Sequence, residues 1–197
     1  LLKPFKAAGL RVLGVDPARG IARRASEAGI ETLAEFFTPE LARRVRAERG
    51  AARLVTANNV FAHADDLAGF AEGARELLAP DGVFVFEVSY LADVVEKLLF
   101  DTIYHEHLAY HAVAPLRGFF ERLGLELFDA ARVDAHGGSL RGFVQRRGGP
   151  RRGTAIEGLL ALEAGSKLGD PATYRDFGRR IDARKAELAG LLQHLKA

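Results

Sequence analysis

The sequence has no cysteine, no tryptophan and no methionine among its 197 residues. Without cysteine, the chain has no disulfide and no thiolate ligand for a metal ion. It also has no apolar run approaching the roughly 18 to 20 residues that span a bilayer. The formal net charge is only +2, which gives little support for a nucleic-acid partner. We therefore expect a cytoplasmic protein with no membrane or nucleic-acid partner, built as one domain with a sizeable core and an appendage.

Short segments rich in branched apolar residues alternate with segments of helical spacing over most of the chain. This alternation predicts an α/β fold whose mostly parallel sheet is covered on both faces, with ligands bound at the carboxyl ends of the strands. The last two strands are joined through His136-Gly137-Gly138, which is too short for a parallel crossover, so we expect them to pair antiparallel. The predicted strands are 10–15, 29–32, 53–61, 83–88, 125–133 and 139–145, and the predicted helices are 1–8, 19–28, 40–48, 67–78, 116–123, 154–168 and 171–196.

An arginine-rich and glycine-rich segment over residues 146–153 separates the sheet from the last two helices. Such a composition is typical of a solvated linker. We therefore assign residues 1–147 to the sheet domain, and residues 148–197 to a linker and the helical start of a C-terminal domain.

Residues 100–111 concentrate groups that are able to move protons. This histidine stretch contains three of the six histidines, together with Tyr104, Glu106 and Tyr110. A neutral imidazole is easily poised as a general base near neutral pH, and a carboxylate or phenol beside it orients the ring. A metal site is a weaker interpretation, because His105 and His107 have no obvious third ligand. A purely structural role for the histidines stays open, but we place the chemistry in this stretch.

Asp16 follows the strand at residues 10–15 and precedes a helix. A carboxylate at this position accepts hydrogen bonds from both ribose hydroxyls in many open α/β nucleotide sites. The same residue would serve equally well as a cap for the helix. The glycine-rich turn that should precede it by about 20 residues is not in the sequence. Asp16 alone therefore leaves a dinucleotide and S-adenosylmethionine both open as cofactors.

Four motifs together resemble the S-adenosylmethionine-dependent sugar C-methyltransferases, which act on nucleotide-linked keto-deoxysugars. The resemblance covers most of residues 1–144, and the motifs occur in the same order as in that family. It implies a class I methyltransferase fold, which is Rossmann-like and has an antiparallel final strand. The motifs are Gly14-Val15-Asp16-Pro17, Asn58-Asn59-Val60-Phe61-Ala62-His63-Ala64-Asp65-Asp66-Leu67, Phe100-Asp101-Thr102-Ile103-Tyr104-His105-Glu106-His107 and His136-Gly137-Gly138-Ser139-Leu140-Arg141.

The resemblance implies a cofactor site for S-adenosylmethionine at three places in the chain. Asp16 would hold the ribose, and Pro17 would lie near the adenine. Asn59, Val60 and Phe61 would line the pocket around the methionine portion.

The resemblance also implies a base and its surroundings. His107 would remove a proton next to the sugar ketone, and the resulting enolate carbon would attack the methyl group of the sulfonium, while a tyrosine or a second histidine stabilises the enolate oxygen. His63 and the histidine stretch both follow the carboxyl ends of neighbouring strands, so we expect them to lie side by side. The implied catalytic residues are His107, Tyr104, Glu106 and His63, and the implied substrate-binding residues are His105 and Arg141.

The sequence departs from the family in three ways. It has no N-terminal cysteine-rich zinc module, no glycine-rich first turn and no further C-terminal α/β domain with its own glycine-rich turn. We therefore expect this chain to be the middle of a longer protein, with zinc confined to the module that this sequence does not include. A sheet without its first strand would expose a seam of core residues, so we expect cofactor binding to require the longer protein.

Two other functions stay open at this point. A nicotinamide-dependent enzyme would use Asp16 in the same way, and an upstream G-x-G-x-x-G turn would favour it. In a non-catalytic interaction module the histidine stretch would be structural, and His107→Ala would leave both ligand binding and activity unchanged.

Overall fold

The computed structural model describes residues 1–196. In these residues strands and helices alternate from residue 14 to residue 97, and two strands and three helices follow. No helix in those residues is both long enough and apolar enough to cross a membrane. Short 3₁₀ turns cover Phe61–His63 and Phe100–Thr102. The elements are α1 (Leu2–Ala7), β1 (Gly14–Val15), α2 (Arg19–Glu27), β2 (Thr32–Leu33), α3 (Pro39–Arg49), β3 (Ala52–Asn58), α4 (Leu67–Leu77), β4 (Leu78–Ser89), α5 (Leu91–Lys97), α6 (Val113–Arg122), β5 (Leu125–Val133), β6 (Ser139–Arg146), α7 (Ala155–Gly165) and α8 (Pro171–Lys196).

Local signals in the sequence explain where two of the helices begin. The hydroxyl of Thr38 accepts a hydrogen bond from the amide of Leu41 at 3.2 Å, and Pro39 occupies the first turn of α3, where its missing amide proton is not needed. Asp66 caps α4 in the same way, accepting from the amide of Gly69 at 2.8 Å. These caps satisfy amides that have no partner within the helix.

The strands form two separate sheets. β1 and β2 pair in parallel, and the second sheet has the order β3-β4-β6-β5. In the second sheet β3 and β4 run parallel, while β6 runs antiparallel to both of its neighbours. The antiparallel pairing predicted for the last two strands is confirmed. The carboxyl ends of β3 and β4 therefore meet at one edge of the larger sheet.

β5 has its predicted bounds, whereas the other five strands differ from theirs: β2 covers Thr32–Leu33 and not 29–32, β3 ends at Asn58 and not at residue 61, and β6 is one residue longer. β1 and β4 differ the most. Only Gly14–Val15 pairs with β2, so β1 is shorter than the predicted strand 10–15. β4 begins at Leu78, and its pairing with β3 jumps from Leu78 to Val83. Residues 80–82, which lie between the predicted helix 67–78 and the predicted strand 83–88, therefore form a bulge inside β4, where a proline without an amide proton is tolerated.

Aromatic side chains form the core between the larger sheet and the helices α4 and α6. The ring of Phe61 is fully buried, and its centroid lies 5.3 to 6.0 Å from those of Phe84, Phe86 and Phe120. Such aromatic pairs contribute about 0.5 to 1.5 kcal/mol each beyond the burial of their surface. The core thus reaches the turn that follows β3 and fixes the chain there.

The segment after β6 is fastened to the sheet domain. The buried side chain of Gln145 donates to the carbonyl of Arg151 at 3.0 Å and accepts from the amide of that residue at 3.1 Å. Ile156 and Leu168 belong to the same core as the sheet. Arg180 on α8 donates to two carbonyls at the end of α5. Residues 146–153, which were predicted to be a solvated linker, are therefore held by hydrogen bonds. The helices that follow them pack on the sheet domain.

Candidate functional site

The chain leaves the larger sheet sharply at the carboxyl end of β3. Asn59 has a φ of 51°, a left-handed conformation that asparagine adopts more readily than most residues. Its amide donates to the carbonyl of Glu87 on β4 at 2.8 Å, and the next side chain, Val60, is exposed. The turn therefore presents Asn59 and Val60 at the edge where parallel strands usually bind ligands.

Asp16 lies directly after β1, and one of its oxygens is already used. Its Oδ1 accepts a hydrogen bond from the amide of Ala18 at 2.8 Å, next to the start of α2. The contact forms an Asx turn that leads into α2, but it is not an N-cap, because the N-cap of α2 is Ala18 and has no side-chain hydrogen bond. A carboxylate accepts several hydrogen bonds through its two oxygens, so this turn and ribose binding are compatible in Asp16. Pro17 beside it is exposed.

Phe61 occupies a different environment from its neighbours in the predicted cofactor pocket. Its side chain is 0% exposed and lies among the core aromatic rings. A side chain with no exposed surface does not contact a ligand in the groove, so only the backbone of Phe61 is available for that purpose. The ring instead anchors the turn that carries Asn59 and Val60.

His63 and His107 are far apart in the sequence but lie side by side in the fold. Their ring centroids are 5.0 Å apart. The Nδ1 atom of His63 lies 2.6 Å from the carbonyl oxygen of Glu106. The structure therefore places His63 beside the histidine stretch, where the strand ends predict it to be.

A main-chain carbonyl holds each of these two imidazoles through Nδ1. The Nδ1 atom of His107 lies 2.7 Å from the carbonyl oxygen of Thr102, which matches the contact between His63 and Glu106. A carbonyl oxygen only accepts hydrogen bonds, so each Nδ1 carries the proton and each Nε2 keeps a lone pair. Nε2 is therefore the basic nitrogen in both histidines.

Two tyrosines contact His107 at its two nitrogens. The hydroxyl of Tyr104 lies 3.3 Å from Nε2. The hydroxyl of Tyr110 donates to the carbonyl of Thr102 at 2.5 Å and lies 3.4 Å from Nδ1. Tyr104 is thus next to the nitrogen that would take a proton, whereas Tyr110 helps to set the orientation of the ring.

Glu106 and His105 have exposed side chains. Glu106 contributes its carbonyl to the cluster by accepting from His63. Burial is what makes a carboxylate a stronger base, and the carboxylate of Glu106 is not buried. Both side chains are accessible for contact with a ligand. Among residues 1–196, the structure groups no three potential metal ligands of the His, Cys, Asp and Glu types.

Arg141, predicted to bind substrate, is paired with a buried carboxylate. Its Nε and Nη2 atoms lie 3.0 and 2.7 Å from the same oxygen, Oε2, of Glu87. Glu87 is 5% exposed and lies opposite Arg141 across the antiparallel pair β4–β6. The charge of Arg141 is therefore partly neutralised, although its guanidinium has further N–H donors outside this contact.

The far end of the histidine stretch is buried. His111 is 6% exposed, forms a parallel β-bridge with Tyr90 and has its ring centroid 5.9 Å from that of Phe61. Burial lowers the pKa of His111 to about 4, because a charged imidazole would lose its hydration there. Its Nε2 has no hydrogen-bond partner within residues 1–196. The neutral ring of His111 therefore ties the stretch to the core.

Glu87 and Glu163 had no role in the sequence analysis, and Tyr110 was named only as a member of the histidine stretch. They were missed for different reasons. Glu87 had a usable signal, since an acidic residue that ends an apolar strand is an unusual buried group. Tyr110 lies in the histidine stretch, but its contact with Thr102 depends on the loop conformation. Glu163 on α7, which is hydrogen bonded to Tyr90, had no signal, because its partners lie far away in the sequence.

Comparison with known proteins defines the class of this chain. A model of the methyltransferase domain family matches residues 1–130, and a model described as a C-methyltransferase C-terminal domain matches residues 134–197. The chain therefore belongs to the methyltransferase domain family. The first match ends inside β5, and the second begins directly after that strand. The division at residue 147 stays a prediction.

One relative is the C-methyltransferase NovU of Streptomyces niveus. The two sequences are 37% identical over 197 residues, which is 100% of this chain and 47% of NovU. The chain thus spans about half the length of this relative.

Solved structures share the fold at low sequence identity. An S-adenosylmethionine-dependent methyltransferase from Anabaena variabilis gives a TM-score of 0.56 at 15% identity, over 73% of this chain and 71% of that chain. The CcbJ methyltransferase from Streptomyces caelestis gives 0.56 at 17% identity, over 73% of this chain and 77% of that chain. Magnesium protoporphyrin IX methyltransferase from Synechocystis, with bound S-adenosylhomocysteine, gives 0.54 at 14% identity, over 73% and 67%. The predicted class I methyltransferase fold is confirmed.

Proposed function

We propose that this protein transfers a methyl group from S-adenosylmethionine to a carbon next to the ketone of a nucleotide-linked deoxysugar, in the cytoplasm, with His107 as the base. The observation that carries the proposal is the geometry of His107. Its Nδ1 is fixed on the carbonyl of Thr102, and its Nε2 lies beside the hydroxyl of Tyr104. The likeness to a C-methyltransferase at 37% identity supports the reaction class, and the four sequence motifs support the sugar substrate.

The residues at the strand ends fit S-adenosylmethionine. Asp16 has a carboxylate oxygen beyond the one that accepts from the amide of Ala18, which suits it to accept from the ribose hydroxyls. Pro17 is exposed next to it for the adenine, and Asn59 and Val60 are exposed at the end of β3 for the methionine portion. Phe61 takes part through its backbone. When bound, the cofactor supplies a methyl group on a positively charged sulfur atom.

Removal of a proton makes the sugar carbon able to accept that methyl group. Nε2 of His107 takes the proton from the carbon next to the ketone, and the electron pair of the C–H bond passes into the enolate. The negative charge then lies mainly on the enolate oxygen. The hydroxyl of Tyr104 would donate a hydrogen bond to this oxygen, and a protonated His63 would do the same.

The side chains around this pair are suited to hold the sugar. Glu106 and His105 are exposed beside His107, and a carboxylate accepts hydrogen bonds from sugar hydroxyls. Arg141 keeps N–H donors outside its pair with Glu87, which makes it a candidate for oxygen atoms of the substrate.

Analysis of the product tests the proposal. The full-length protein is incubated with S-adenosylmethionine carrying a ¹³C-labelled methyl group and with a nucleotide-linked keto-deoxysugar, and the product is examined by NMR. We expect the labelled carbon to be bonded to the sugar carbon next to the ketone. A labelled methyl group on oxygen, or no transfer by a protein that binds both ligands, would contradict the proposed reaction.

A further inference from the structure

Glu163 is a buried carboxylate with no part in the chemistry proposed for the site. It lies on α7, near the end of that helix, and is 4% exposed. Three donors contact it: the hydroxyl of Tyr90 at 2.9 Å, the amide of Val113 at 2.6 Å and the amide of Ala114 at 3.0 Å. Burying a charge is costly unless its oxygens are hydrogen bonded, so these contacts explain how Glu163 is tolerated.

The two amides belong to the first turn of α6. Its N-cap is Ala112, whose side chain has no acceptor for the free amides at the start of the helix. Glu163 supplies that acceptor from another helix, next to the positive end of the α6 dipole. A carboxylate close to the carboxyl end of its own helix is unfavourable there. The position of Glu163 is therefore explained by α6 and not by α7.

The groups that Glu163 holds also fix the end of the histidine stretch. Its partner Tyr90 forms a β-bridge with His111. The amide of Leu91 donates to the carbonyl of His111 at 2.9 Å, and α6 begins two residues further on. Burial of the Tyr90 hydroxyl and the charge of Glu163 both raise the pKa of Tyr90, so this hydroxyl remains a donor at neutral pH. The chain at His111 is thus held from two sides by one carboxylate.

From this anchored end, the contacts continue to the base. Tyr110 precedes His111, and its hydroxyl donates to the carbonyl of Thr102. The same carbonyl accepts from Nδ1 of His107. Displacement of the chain at His111 would therefore move Tyr110 and loosen the carbonyl that orients His107.

We propose that Glu163 is a positioning residue for His107. Its carboxylate holds residues 110–114 in place, so that the carbonyl of Thr102 keeps the proton of His107 on Nδ1 and leaves Nε2 free. Glu163 lies in the segment that matches the C-methyltransferase C-terminal domain, and His107 lies in the segment that matches the methyltransferase domain. The importance of Glu163 for catalysis rests on the proposed function of His107, but the orientation of the His107 ring is measurable without methyl transfer.

The test compares Glu163→Gln with Glu157→Gln in the full-length protein. Glu157 lies on the same helix but is exposed and pairs with Arg117 at 3.2 Å, so its variant controls for the loss of a charge on α7. The glutamine at position 163 has an NH₂ group where the carboxylate had an acceptor oxygen, so it cannot accept all three hydrogen bonds.

Two measurements follow the geometry of the histidine stretch. Hydrogen exchange of the amides in residues 103–114 should become about tenfold faster or more in Glu163→Gln, because local opening is easier after the loss of charge-assisted bonds. Exchange in β5 and β6 should not change. In ¹⁵N NMR spectra of the imidazoles, His107 should be an Nδ1–H tautomer in the wild type and a mixture in Glu163→Gln. The Glu157→Gln protein should behave as the wild type in both measurements.

A lower melting temperature of Glu163→Gln, with wild-type exchange in residues 103–114 and an unchanged His107 tautomer, would overturn the proposal. Glu163 would then only fasten α7. If Glu163→Gln does not fold, Tyr90→Phe removes one of the three donors and should produce a smaller change in the same direction. If the wild-type protein transfers no methyl group, but the His107 tautomer still changes between the wild type and Glu163→Gln, the result contradicts the proposed function and supports this inference.

Discussion

His107 and His111 belong to the same short stretch but have opposite environments. His107 is partly exposed, and both of its nitrogens lie near oxygen atoms, the carbonyl of Thr102 and the hydroxyl of Tyr104. His111 is buried against Phe61, and its pKa falls to about 4. His107 therefore has the geometry that our proposal needs in a base, while His111 stays neutral and holds the chain.

The difference shows that residue type alone does not define a catalytic group. A base must reach solvent or substrate, yet its orientation has to be fixed by something that does not move. In the function that we propose, the exposed part of the stretch carries the reactive nitrogen of His107, and the buried end holds the stretch in place. Substitutions in the two parts should therefore have different consequences, in activity for His107 and in stability for His111.

The largest effect is expected from His107→Asn. Loss of a general base usually lowers the rate by about 10²- to 10⁴-fold, so turnover should fall on that scale while the affinity for S-adenosylmethionine stays nearly the same. Steady-state kinetics and calorimetry measure the two quantities. His105→Asn, at an exposed neighbouring position, is the matched control and should retain more activity. Wild-type turnover in His107→Asn, together with an inactive Glu106→Gln protein, would assign the base to Glu106.

His111→Phe should change how stability depends on pH. The pKa of His111 is about 4 in the folded protein and about 6.5 in the unfolded chain. As the pH falls below 6.5 the unfolded state binds the proton first, so this contribution to stability is present above pH 6.5 and is lost as the pH falls to 4. The difference corresponds to about 3 kcal/mol.

Urea unfolding at several pH values between about 7 and about 4, roughly the span of the two pKa values, measures this loss of free energy of unfolding. A phenylalanine ring does not titrate, so the free energy of unfolding of His111→Phe should fall less steeply than that of the wild type. His105→Phe, at an exposed position, should retain the wild-type slope. Equal slopes in His111→Phe and the wild type would show that His111 does not cause the pH dependence.

Asp16→Ala should weaken the binding of S-adenosylmethionine by about 1.5 to 3 kcal/mol, the scale of a lost charge-assisted hydrogen bond. Asp16→Asn is the informative control, because its side-chain oxygen still accepts from the amide of Ala18. It should keep this hydrogen bond and still lose affinity. Calorimetry on the full-length protein measures both. Tight binding of NADH without binding of S-adenosylmethionine would exclude the proposed cofactor.

The smallest effect is expected from Tyr110→Phe. It removes one of the two donors to the carbonyl of Thr102 and should lower the free energy of unfolding by about 0.5 to 1.5 kcal/mol. Tyr104→Phe, whose hydroxyl is exposed, should have little effect on stability. Chemical denaturation of the two variants makes the comparison, and a larger loss in Tyr104→Phe would reverse the roles assigned to the two tyrosines.

The sequence predicted the elements whose signals are local. The α8 helix was predicted with its observed ends, and the helix predicted over residues 40–48 is α3, which is one residue longer at each end. The α5 helix was missed, since Leu91–Lys97 is too short for a clear apolar period. The extension of β4 through Pro80 was also missed, because the bulge is set by pairing with β3 and turn residues alone do not show it.

The candidate site divides in the same way. The proximity of His63 to His107 was predictable, because both residues follow strands that end at one edge of a parallel sheet. The pairing of Arg141 with Glu87 and the burial of Phe61 were not, since both depend on which side chains meet in the folded core. Glu163 is the clearest case, because Tyr90 and the start of α6 become its partners only after α7 packs on the domain.

The most direct test of the account is the exchange of the hydrogen next to the ketone. The full-length protein is incubated with S-adenosylhomocysteine and a nucleotide-linked keto-deoxysugar that carries deuterium at the carbons next to its ketone, so that no methyl group is available. We predict that the wild-type protein releases deuterium to the solvent, and that His107→Asn releases it at least about 10²-fold more slowly. Release at the wild-type rate by His107→Asn would contradict the assignment of His107 as the base.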